Sequence, residues 1–473
     1  MCVVALAGCG QAAKPAATAV APSATVVVAP APPADAGPPA VPLPAGVPDS
    51  PAGHQLAWVL GAIAQPPGEA DVAARFTPEF AAKVSAAKMV AIFTQVGAEI
   101  APLAIDGVER GASAESLAVV VHPGKSQAHA GASKMRIAVR VESAEPYRIA
   151  GLLLSPVVEA TAATSWDEVK AGLRAVAPQV GFLAAEITGG RCVSLADLDP
   201  KKPLALGSAF KLYVLDALAA QIAAGKHTWD DPVVIDDAKK SLPSGDLRNA
   251  PAGTTFSVRQ VAERMIAVSD NTAADHLLAF VGRSAVEDAV KASGHATPSR
   301  MVPFLSTRDV FALKLLASPD ELAAYARADV GRKRKLLETH EARDLSRVPL
   351  EDKGWSKPRM IDSIEWFASP EDLCKVMVSL KQYADSPATA PVGAILSLNP
   401  GIPDERRIYG YVGYKGGSEP GVMNLTWLLR RKGDGAGPGP WVFLTVGWND
   451  PSEVIDEAKA LSAAATARNF LGR

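Results

Sequence analysis

Hydrophobic positions in the first third of the chain follow two different periods, one after the other. Between Asp71 and Glu99, apolar residues recur at near-helical spacing and predict two helices, and His54–Ile63 predicts a shorter one. Three later segments are apolar, strand-like and parted by Gly, Ser and Pro: Leu117–Val121, Met135–Val139 and Tyr147–Leu152. Helices followed by an antiparallel sheet predict a small α+β domain over residues 51–158.

The remaining residues, 159–473, are predicted to form a second domain with strands at both of its ends. The predicted strands are 180–187, 192–195, 409–414, 422–429 and 441–448, and the predicted closing helix is Ser452–Phe470. Residues 204–380 between them are rich in helical patterns. We therefore predict an α/β sandwich, in which both ends of the domain build one antiparallel sheet and the middle forms a helical block.

The first fifty residues have a different character from both domains. Leu6-Ala7-Gly8-Cys9 matches the small-residue pattern of a bacterial lipoprotein signal, so residues 1–9 are predicted to be a partial signal with Cys9 as the lipidated residue. An accidental match in an Ala-rich start is the alternative. Residues 10–50 are mostly Ala, Pro, Val and Gly, which predicts a semi-extended linker. The expectation is an exported periplasmic or cell-envelope lipoprotein that touches a membrane only through this lipid.

The charge balance and the cysteine content of the chain limit the classes of function that it can have. The chain has 48 basic and 50 acidic residues and a net charge of −2, which argues against nucleic-acid binding. Its four cysteines and seven histidines form no CxxC or HExxH pattern, so we predict neither a metal nor a cofactor. Cys192 and Cys374 are predicted to be buried free thiols rather than a disulfide. The protein is expected to act as a monomer on a small molecule.

A serine followed one turn later by a lysine opens the helical middle of the second domain. Ser208 and Lys211 stand at the start of an apolar run, Leu204–Ile222, that is predicted to be a central helix. A lysine that enters a buried helix has a lowered pKa, and its neutral amine can take the proton of the serine hydroxyl. A helix-capping serine beside a surface lysine is the alternative.

Two further polar clusters follow in the chain. Ser269-Asp270-Asn271 lies at a break between two predicted helices, where Ser269 can pass a proton to a leaving group and Asn271 can hold Lys211 and a substrate carbonyl. Asp270 is predicted to bond backbone N–H groups of the turn, and simple helix capping by the whole triplet is the alternative.

Lys415-Gly416-Gly417-Ser418 follows the predicted strand 409–414. Gly416 and Gly417 let a substrate backbone approach this segment closely, and Lys415 supplies a charge for a substrate carboxylate. The N–H groups of Ser208 and Ser418 are predicted to form an oxyanion hole.

The three clusters in this order resemble those of the penicillin-recognising serine enzymes, which include class A β-lactamases and D,D-peptidases. Pro203–Gly207, Pro251–Thr254 and Ala368–Leu373 also look like class A landmarks. The resemblance covers residues 160–473 and implies a β-lactamase-like fold and an acyl-enzyme at Ser208. The two-domain layout is similar to a β-lactamase-like protein of clavulanic-acid gene clusters, which implies an NTF2-like fold for residues 51–158.

Two departures from the class A pattern bear on turnover. The Glu-x-x-Leu-Asn loop, whose glutamate activates the deacylating water, has no counterpart, and Glu351 and Glu365 are the candidate substitutes. Gly416 stands where the family has a Thr or Ser that bonds the substrate carboxylate, and Ser418 is the candidate replacement. Both departures weaken the case for rapid β-lactam turnover more than the case for acylation.

The leading interpretation is a serine hydrolase acting on β-lactams or related amides through an acyl-enzyme at Ser208. Two alternatives stay open. One is an esterase, acyl-transferase or D,D-peptidase acting on a substrate that is not a β-lactam. The other is a slowly deacylating penicillin-binding protein.

Overall fold

The computed structural model describes residues 42–473 except 83, 110, 125–133, 342, 346–347, 349–354, 404–407 and 434–436. The chain divides into two compact units with the boundary between Val157 and Val158. The predicted signal, Cys9 and nearly all of the predicted linker lie outside the described residues. Among the residues that are described, no helix is long and apolar enough to cross a membrane.

The first unit consists of four helices and then a four-stranded antiparallel sheet in the order β1-β2-β3-β4. The helices are α1 (Pro51–Ala64), α2 (Glu69–Arg75), α3 (Pro78–Ala81) and α4 (Ala86–Ile100). The strands are β1 (Leu103–Val108), β2 (Ser116–Pro123), β3 (Met135–Val141) and β4 (Ile149–Pro156). Sequence reasoning did not predict β1, because a bulge between Ile105 and Gly107 interrupts its alternation.

The core of the first unit lies between one face of this sheet and the longer helices. Alternate residues of β2 and β3 are buried, among them Val119 and Ile137, and they belong to the same apolar cluster as Leu56 of α1 and Phe93 of α4. This period of two is the pattern expected of a sheet with one face buried.

The second unit is built around a five-stranded antiparallel sheet with the strand order β11-β12-β13-β5-β6. Its strands are β5 (Gln179–Thr188), β6 (Arg191–Leu198), β11 (Tyr409–Glu419), β12 (Val422–Arg431) and β13 (Trp441–Asn449). Two short pairs lie outside it: β7 (Leu204–Ala205) with β10 (Phe367–Ala368), and β8 (Pro232–Val234) with β9 (Thr255–Ser257). The sheet therefore joins both ends of the unit, which confirms the predicted architecture.

The helices of the second unit cover both faces of this sheet. They are α5 (Trp166–Arg174), α6 (Lys211–Ala223), α7 (Val258–Ala267), α8 (Asn271–Val281), α9 (Arg283–Ala292), α10 (Thr307–Phe311), α11 (Pro319–Arg327), α12 (Val330–Glu341), α13 (Pro370–Ala384), α14 (Pro391–Leu396) and α15 (Glu457–Leu471). Apolar residues of α5 and α15 pack with one face of the sheet, where Trp427 and Trp448 are buried. The other face packs with the helical block around α6.

The helix α6 is buried on nearly every side. Leu212, Leu215 and Leu218 have no exposed surface, and each such leucine contributes about 1.5–3 kcal/mol of burial free energy. A helix that is apolar all round belongs at the centre of a protein, which places the residue at its first position, Lys211, inside the molecule as well.

The start of this apolar run differs from the prediction of one helix over 204–222. Leu204–Ala205 is the strand β7, Gly207–Phe210 is a 3₁₀ turn, and α6 begins only at Lys211. Gly207 has a φ of 50°, in the left-handed region that favours glycine and interrupts a helix. An unbroken apolar run cannot distinguish a buried strand from a buried helix, so the period alone could not reveal this break.

The prediction that Cys192 and Cys374 are free thiols is wrong. Cys192 in β6 and Cys374 in α13 form a disulfide across a sequence separation of 182 residues. The pairing depends on β6 and α13 being neighbours in space, and the spacing of cysteines in the sequence does not encode that.

Replacing both cysteines by serine is expected to lower the free energy of unfolding by about 2–4 kcal/mol, because the bond closes a long loop in the unfolded chain. The measurement is urea denaturation of the double variant and of the oxidised wild-type protein. Wild-type protein under reducing conditions is the control and should shift in the same direction. Equal unfolding midpoints for all three would contradict the prediction.

Candidate active site

Lys211 is the centre of a cluster that joins three distant segments of the second unit. Its Nζ lies 3.2 Å from the Ser208 Oγ, 3.1 Å from the Ser269 Oγ and 2.6 Å from the Asn271 Oδ1. A fourth contact, of 2.6 Å, joins it to the carbonyl oxygen of Ser269. The lysine side chain is fully buried, so these four oxygens are the polar surroundings that it has in place of water.

The chemistry of these four oxygens determines how the amine is used. The Asn271 Oδ1 and the Ser269 carbonyl can only accept hydrogen bonds, so they take both N–H groups of a neutral amine at 2.6 Å. The lone pair is then left for a hydroxyl, and both Ser208 and Ser269 offer one. A neutral Lys211 amine is therefore oriented to accept a proton from the hydroxyl of Ser208 or of Ser269.

The electrostatics favour this neutral form. Burial, and then the nearby charge of Lys415, lower the pKa of Lys211 well below its usual value, against the opposing effect of Asp270 and Asp275. Burial also lowers the pKa of Lys415, to about 7. Two buried amines in one site cannot both hold a full charge cheaply.

Ser269 connects the two lysines from a tight turn between α7 and α8. Its Oγ lies 3.0 Å from the Lys415 Nζ as well as 3.1 Å from the Lys211 Nζ. Its φ of 57° is unusual for a residue with a side chain. Asp270 holds this turn as predicted, because its carboxylate accepts hydrogen bonds from the N–H groups of Ala273 and Leu247, both at 2.8 Å.

A loop that sequence reasoning did not single out completes the support of this turn. The Ser244 Oγ donates to the Ser269 carbonyl at 2.7 Å, and the Ser244 carbonyl accepts from the Asn271 N–H at 3.1 Å. The Asn271 Nδ2 donates to the carbonyl oxygen of Leu242 at 2.5 Å. The sequence of this loop, Ser-Leu-Pro-Ser-Gly, does not reveal this role, because its contacts are made with the distant segment 269–271.

The strand β11 extends beyond its predicted end at Tyr414 and carries Lys415 to Ser418 as strand residues. A Cβ added to Gly417 would lie 2.4 Å from the Ser208 N, and one added to Gly207 would lie 2.9 Å from the Ser418 N. Only glycine at both positions allows this approach. The structure thus brings together the two backbone N–H groups predicted to form an oxyanion hole.

A neighbouring side chain explains why residue 416 is glycine. A Cβ at this position would lie 2.0 Å from the Oη of Tyr414, two residues earlier on the same strand. The Tyr414 hydroxyl therefore occupies the space that a Thr or Ser side chain would need. Gly416 and Tyr414 are a matched pair, and the sequence alone showed only the missing hydroxyl.

The two candidate deacylation bases differ in what the structure says about them. Glu351 lies outside the described residues. Glu365 is buried with both carboxylate oxygens engaged: Oε1 accepts from the Lys314 Nζ at 3.0 Å, and Oε2 accepts from the N–H groups of Gly207 at 3.2 Å and Trp366 at 3.3 Å. This arrangement suits a structural acceptor better than a base that must activate water.

Within the described part of the chain, no cluster of three His, Cys, Asp or Glu side chains could hold a metal ion. The site groups described above are hydroxyl, amine, amide and backbone N–H groups, which are the kinds of group that nucleophilic acyl transfer requires.

Comparison with known families divides the chain in the same way as its fold. Residues 165–390 match the model described as the Beta-lactamase enzyme family, and residues 47–140 match the model described as the N-terminal part of the ORF 12 gene product. The first match begins just inside the second unit and includes Ser208, Lys211 and Ser269.

Three solved structures show the extent of the structural similarity. A β-lactamase from Sphaerobacter thermophilus DSM 20745 is 18% identical and covers 66% of this chain and 97% of its own, with a TM-score of 0.43. A β-lactamase from Chitinophaga pinensis DSM 2588 is 15% identical and covers 65% and 97%, with a TM-score of 0.43. A structure named PBP-A is 16% identical and covers 64% and 96%, with a TM-score of 0.39.

No curated protein is significantly similar to the chain in sequence. The family model and the fold agree on the same part of the chain. Residues 165–390 of the second unit are therefore similar to the Beta-lactamase enzyme family.

Proposed function

We propose that the protein is a serine acyl-transfer hydrolase that forms an acyl-enzyme at Ser208. The observation that carries the proposal is the position of the Lys211 amine within hydrogen-bonding distance of both the Ser208 and Ser269 hydroxyls. Lys211 accepts the Ser208 proton as Oγ attacks a carbonyl carbon, and the N–H groups of Ser208 and Ser418 stabilise the resulting oxyanion. Ser269 returns the proton to the leaving group, and water later cleaves the acyl bond.

We propose further that the substrate carries a carboxylate, as β-lactams and D-Ala-D-Ala peptides do. Lys415 is the group that supports this choice, because its Nζ ends between the Ser269 Oγ and the carbonyl oxygen of Gly416. A cation at that point is next to the proton-transfer group and on the strand along which a substrate would lie. An anion bound there would favour the charged form of Lys415.

A slowly deacylating penicillin-binding protein is the second candidate. The engaged oxygens of Glu365 favour it, since an acyl-enzyme without an available base would be hydrolysed slowly. The acylation step is the same in both candidates, so they differ only in the fate of the acyl-enzyme. An esterase or acyl-transferase acting on other substrates would also share this step.

The remaining parts of the chain are proposed to place this enzyme in the cell envelope. Cys9 would carry the lipid, the linker would extend from it, and residues 51–158 would act as an NTF2-like spacer or binding domain. In-gel detection of radiolabelled palmitate on the wild-type protein, and its loss in Cys9→Ser, would support this arrangement.

Ser208→Ala is expected to abolish covalent labelling by a fluorescent penicillin, because the nucleophile is removed while its surroundings stay in place. Ser397→Ala is the matched control, since Ser397 is exposed and its Oγ bonds only the local carbonyl of Ala394. The measurement is in-gel fluorescence with peptide mapping of the label. Equal labelling of the Ser208 variant and the wild-type protein would refute the proposal.

The time course of the acyl-enzyme separates the two candidates. We expect intact mass spectrometry to show one acyl group per chain that persists for many turnover times of an efficient β-lactamase, because Glu365 is engaged. Absorbance of a chromogenic cephalosporin in the same samples measures turnover. Rapid multiple turnover without an accumulated adduct would favour the hydrolase and exclude the slow penicillin-binding protein.

Binding of a carboxylate substrate is expected to weaken as pH rises through about 7, the pKa of Lys415. The charged amine predominates below this pKa and is lost above it, so affinity should fall by up to about tenfold per pH unit on the alkaline side. The measurement is the Kd of the noncovalent penicillin complex as a function of pH, obtained from the acylation kinetics. The methyl ester of the same penicillin is the control. The ester should show no alkaline decline, and a pH-independent Kd for the acid would contradict a charged Lys415.

A further inference from the structure

A third buried lysine lies behind the active site. Lys314 belongs to a π-helical turn, Ala312–Leu316, that follows α10, and its side chain has no exposed surface. Its Nζ lies 3.0 Å from the Glu365 Oε1 and 2.5 Å from the Glu419 Oε1. The Trp355 ring covers the amine from 5.4 Å. Such π-turns are rare and are frequently found at functional sites.

The two carboxylates bound by Lys314 are each attached to one side of the oxyanion hole. Glu365 accepts the N–H of Gly207, the residue before Ser208, at 3.2 Å. Glu419 is the residue after Ser418 on β11. The Lys314 ammonium group therefore links two segments. Through Glu365 it is connected to Gly207, the residue before Ser208, and through Glu419 it is connected to the residue after Ser418.

We propose that Lys314, Glu365 and Glu419 form an ionic clamp that positions the N–H groups of Ser208 and Ser418 for acyl transfer. The three residues are positioning residues, since none of them touches the reacting atoms. The inference rests on the proposed acylation of Ser208. It also assigns Glu365 a role other than the deacylation base.

The energetics argue that these charges serve more than stability. Burying ions costs several kcal/mol each, and apolar residues of similar volume are often at least as stabilising. A buried carboxylate that accepts a backbone N–H, however, fixes the direction of that peptide, which apolar packing cannot do. Gly207, with its left-handed φ, would otherwise be the most adjustable peptide next to the nucleophile.

Burial and the neighbouring charges shift the pKa values of Glu419 and Lys314 in the clamp. Burial, and then the adjacent Glu365 carboxylate, raise the pKa of Glu419 well above its usual value, against the opposing effect of Lys314. Burial alone would lower the pKa of Lys314, but Glu365 and Glu419 together raise it. A raised pKa of Glu419 reduces the negative charge that the two carboxyl groups would otherwise place behind a developing oxyanion.

Glu365→Gln is the principal test, with Glu287→Gln as its matched control. Glu287 is also buried, pairs with Arg334 at 2.6 Å and accepts a backbone N–H from Phe304 at 3.0 Å, but it is not bonded to the oxyanion segments. The measurements are the acylation rate constant and Kd for a penicillin by stopped flow, the Tm, and hydrogen–deuterium exchange of peptides covering 204–210 and 415–420.

The clamp predicts different results for the different variants. Glu365→Gln should lower the acylation rate constant by about tenfold with little change in Kd and should speed exchange in both peptides. Glu419→Gln should have a smaller effect than Glu365→Gln, because the amide oxygen can still accept the hydrogen bond from Lys314, whereas both oxygens of Glu365 are acceptors. Glu287→Gln should lower Tm without changing the acylation rate constant.

The triple variant Lys314→Met, Glu365→Gln, Glu419→Gln keeps the test decisive if a single variant fails to fold, since it leaves no buried charge unpaired. It should fold, acylate slowly and exchange faster in the two peptides. A folded Glu365→Gln or triple variant with wild-type acylation and exchange would overturn the clamp, as would an equal loss of acylation in Glu287→Gln. If wild-type protein is not acylated at all, the proposed function fails, and exchange in the two peptides then decides whether the clamp exists.

Discussion

The site depends on one amine that is kept out of water. Lys211 exchanges its hydration for two acceptors that cannot donate, Asn271 Oδ1 and the Ser269 carbonyl, and this exchange orients its lone pair towards hydroxyl groups. A lysine on the surface would be charged, so it could not accept a proton. It would also rotate freely, so its amine would not be held in one orientation. The apolar helix α6 is what holds its first residue in that position. The proposed reactivity of Ser208 thus depends on the burial of its neighbour one turn away.

The rest of the second unit can be understood as the framework that brings three remote segments to this amine. The sheet takes its strands from both ends of the unit, so β11 lies beside the turn that begins at Gly207 although about two hundred residues separate them. The turn at Ser269 is held by the carboxylate of Asp270 and the hydroxyl of Ser244. Each segment is fixed by its own local bonds before it contributes to the site, which reduces the reorganisation required during reaction.

The sequence predicted the parts of this site that obey a local rule. Ser208 and Lys211 are one helical turn apart and Ser269 lies at a helix break, and the order of the three clusters along the chain, with the family resemblance that it carries, selected them as candidates. The contribution of Ser244, the Cys192–Cys374 disulfide and the pairing of Lys314 with Glu419 depend on contacts between elements that are far apart in sequence. The segment around Gly207 could not be predicted correctly either, because an unbroken apolar run does not show where a strand ends and a helix begins.

The amines of Lys211 and Lys415, together with the proposed clamp, suggest that acylation and deacylation have different requirements. Acylation needs a proton acceptor beside Ser208 and two fixed N–H donors, and each of these is supplied by groups that are already hydrogen-bonded in place. Deacylation needs in addition a base with a free oxygen facing a water molecule. Glu365 is the carboxylate bonded directly to the turn of the nucleophile, yet its bonds to Lys314 and Gly207 use the oxygens that a base would need. The same carboxylate cannot both hold a peptide rigidly and accept a proton from water without releasing that peptide. If Glu365 is committed to positioning, as we propose, the arrangement favours acylation at the expense of deacylation.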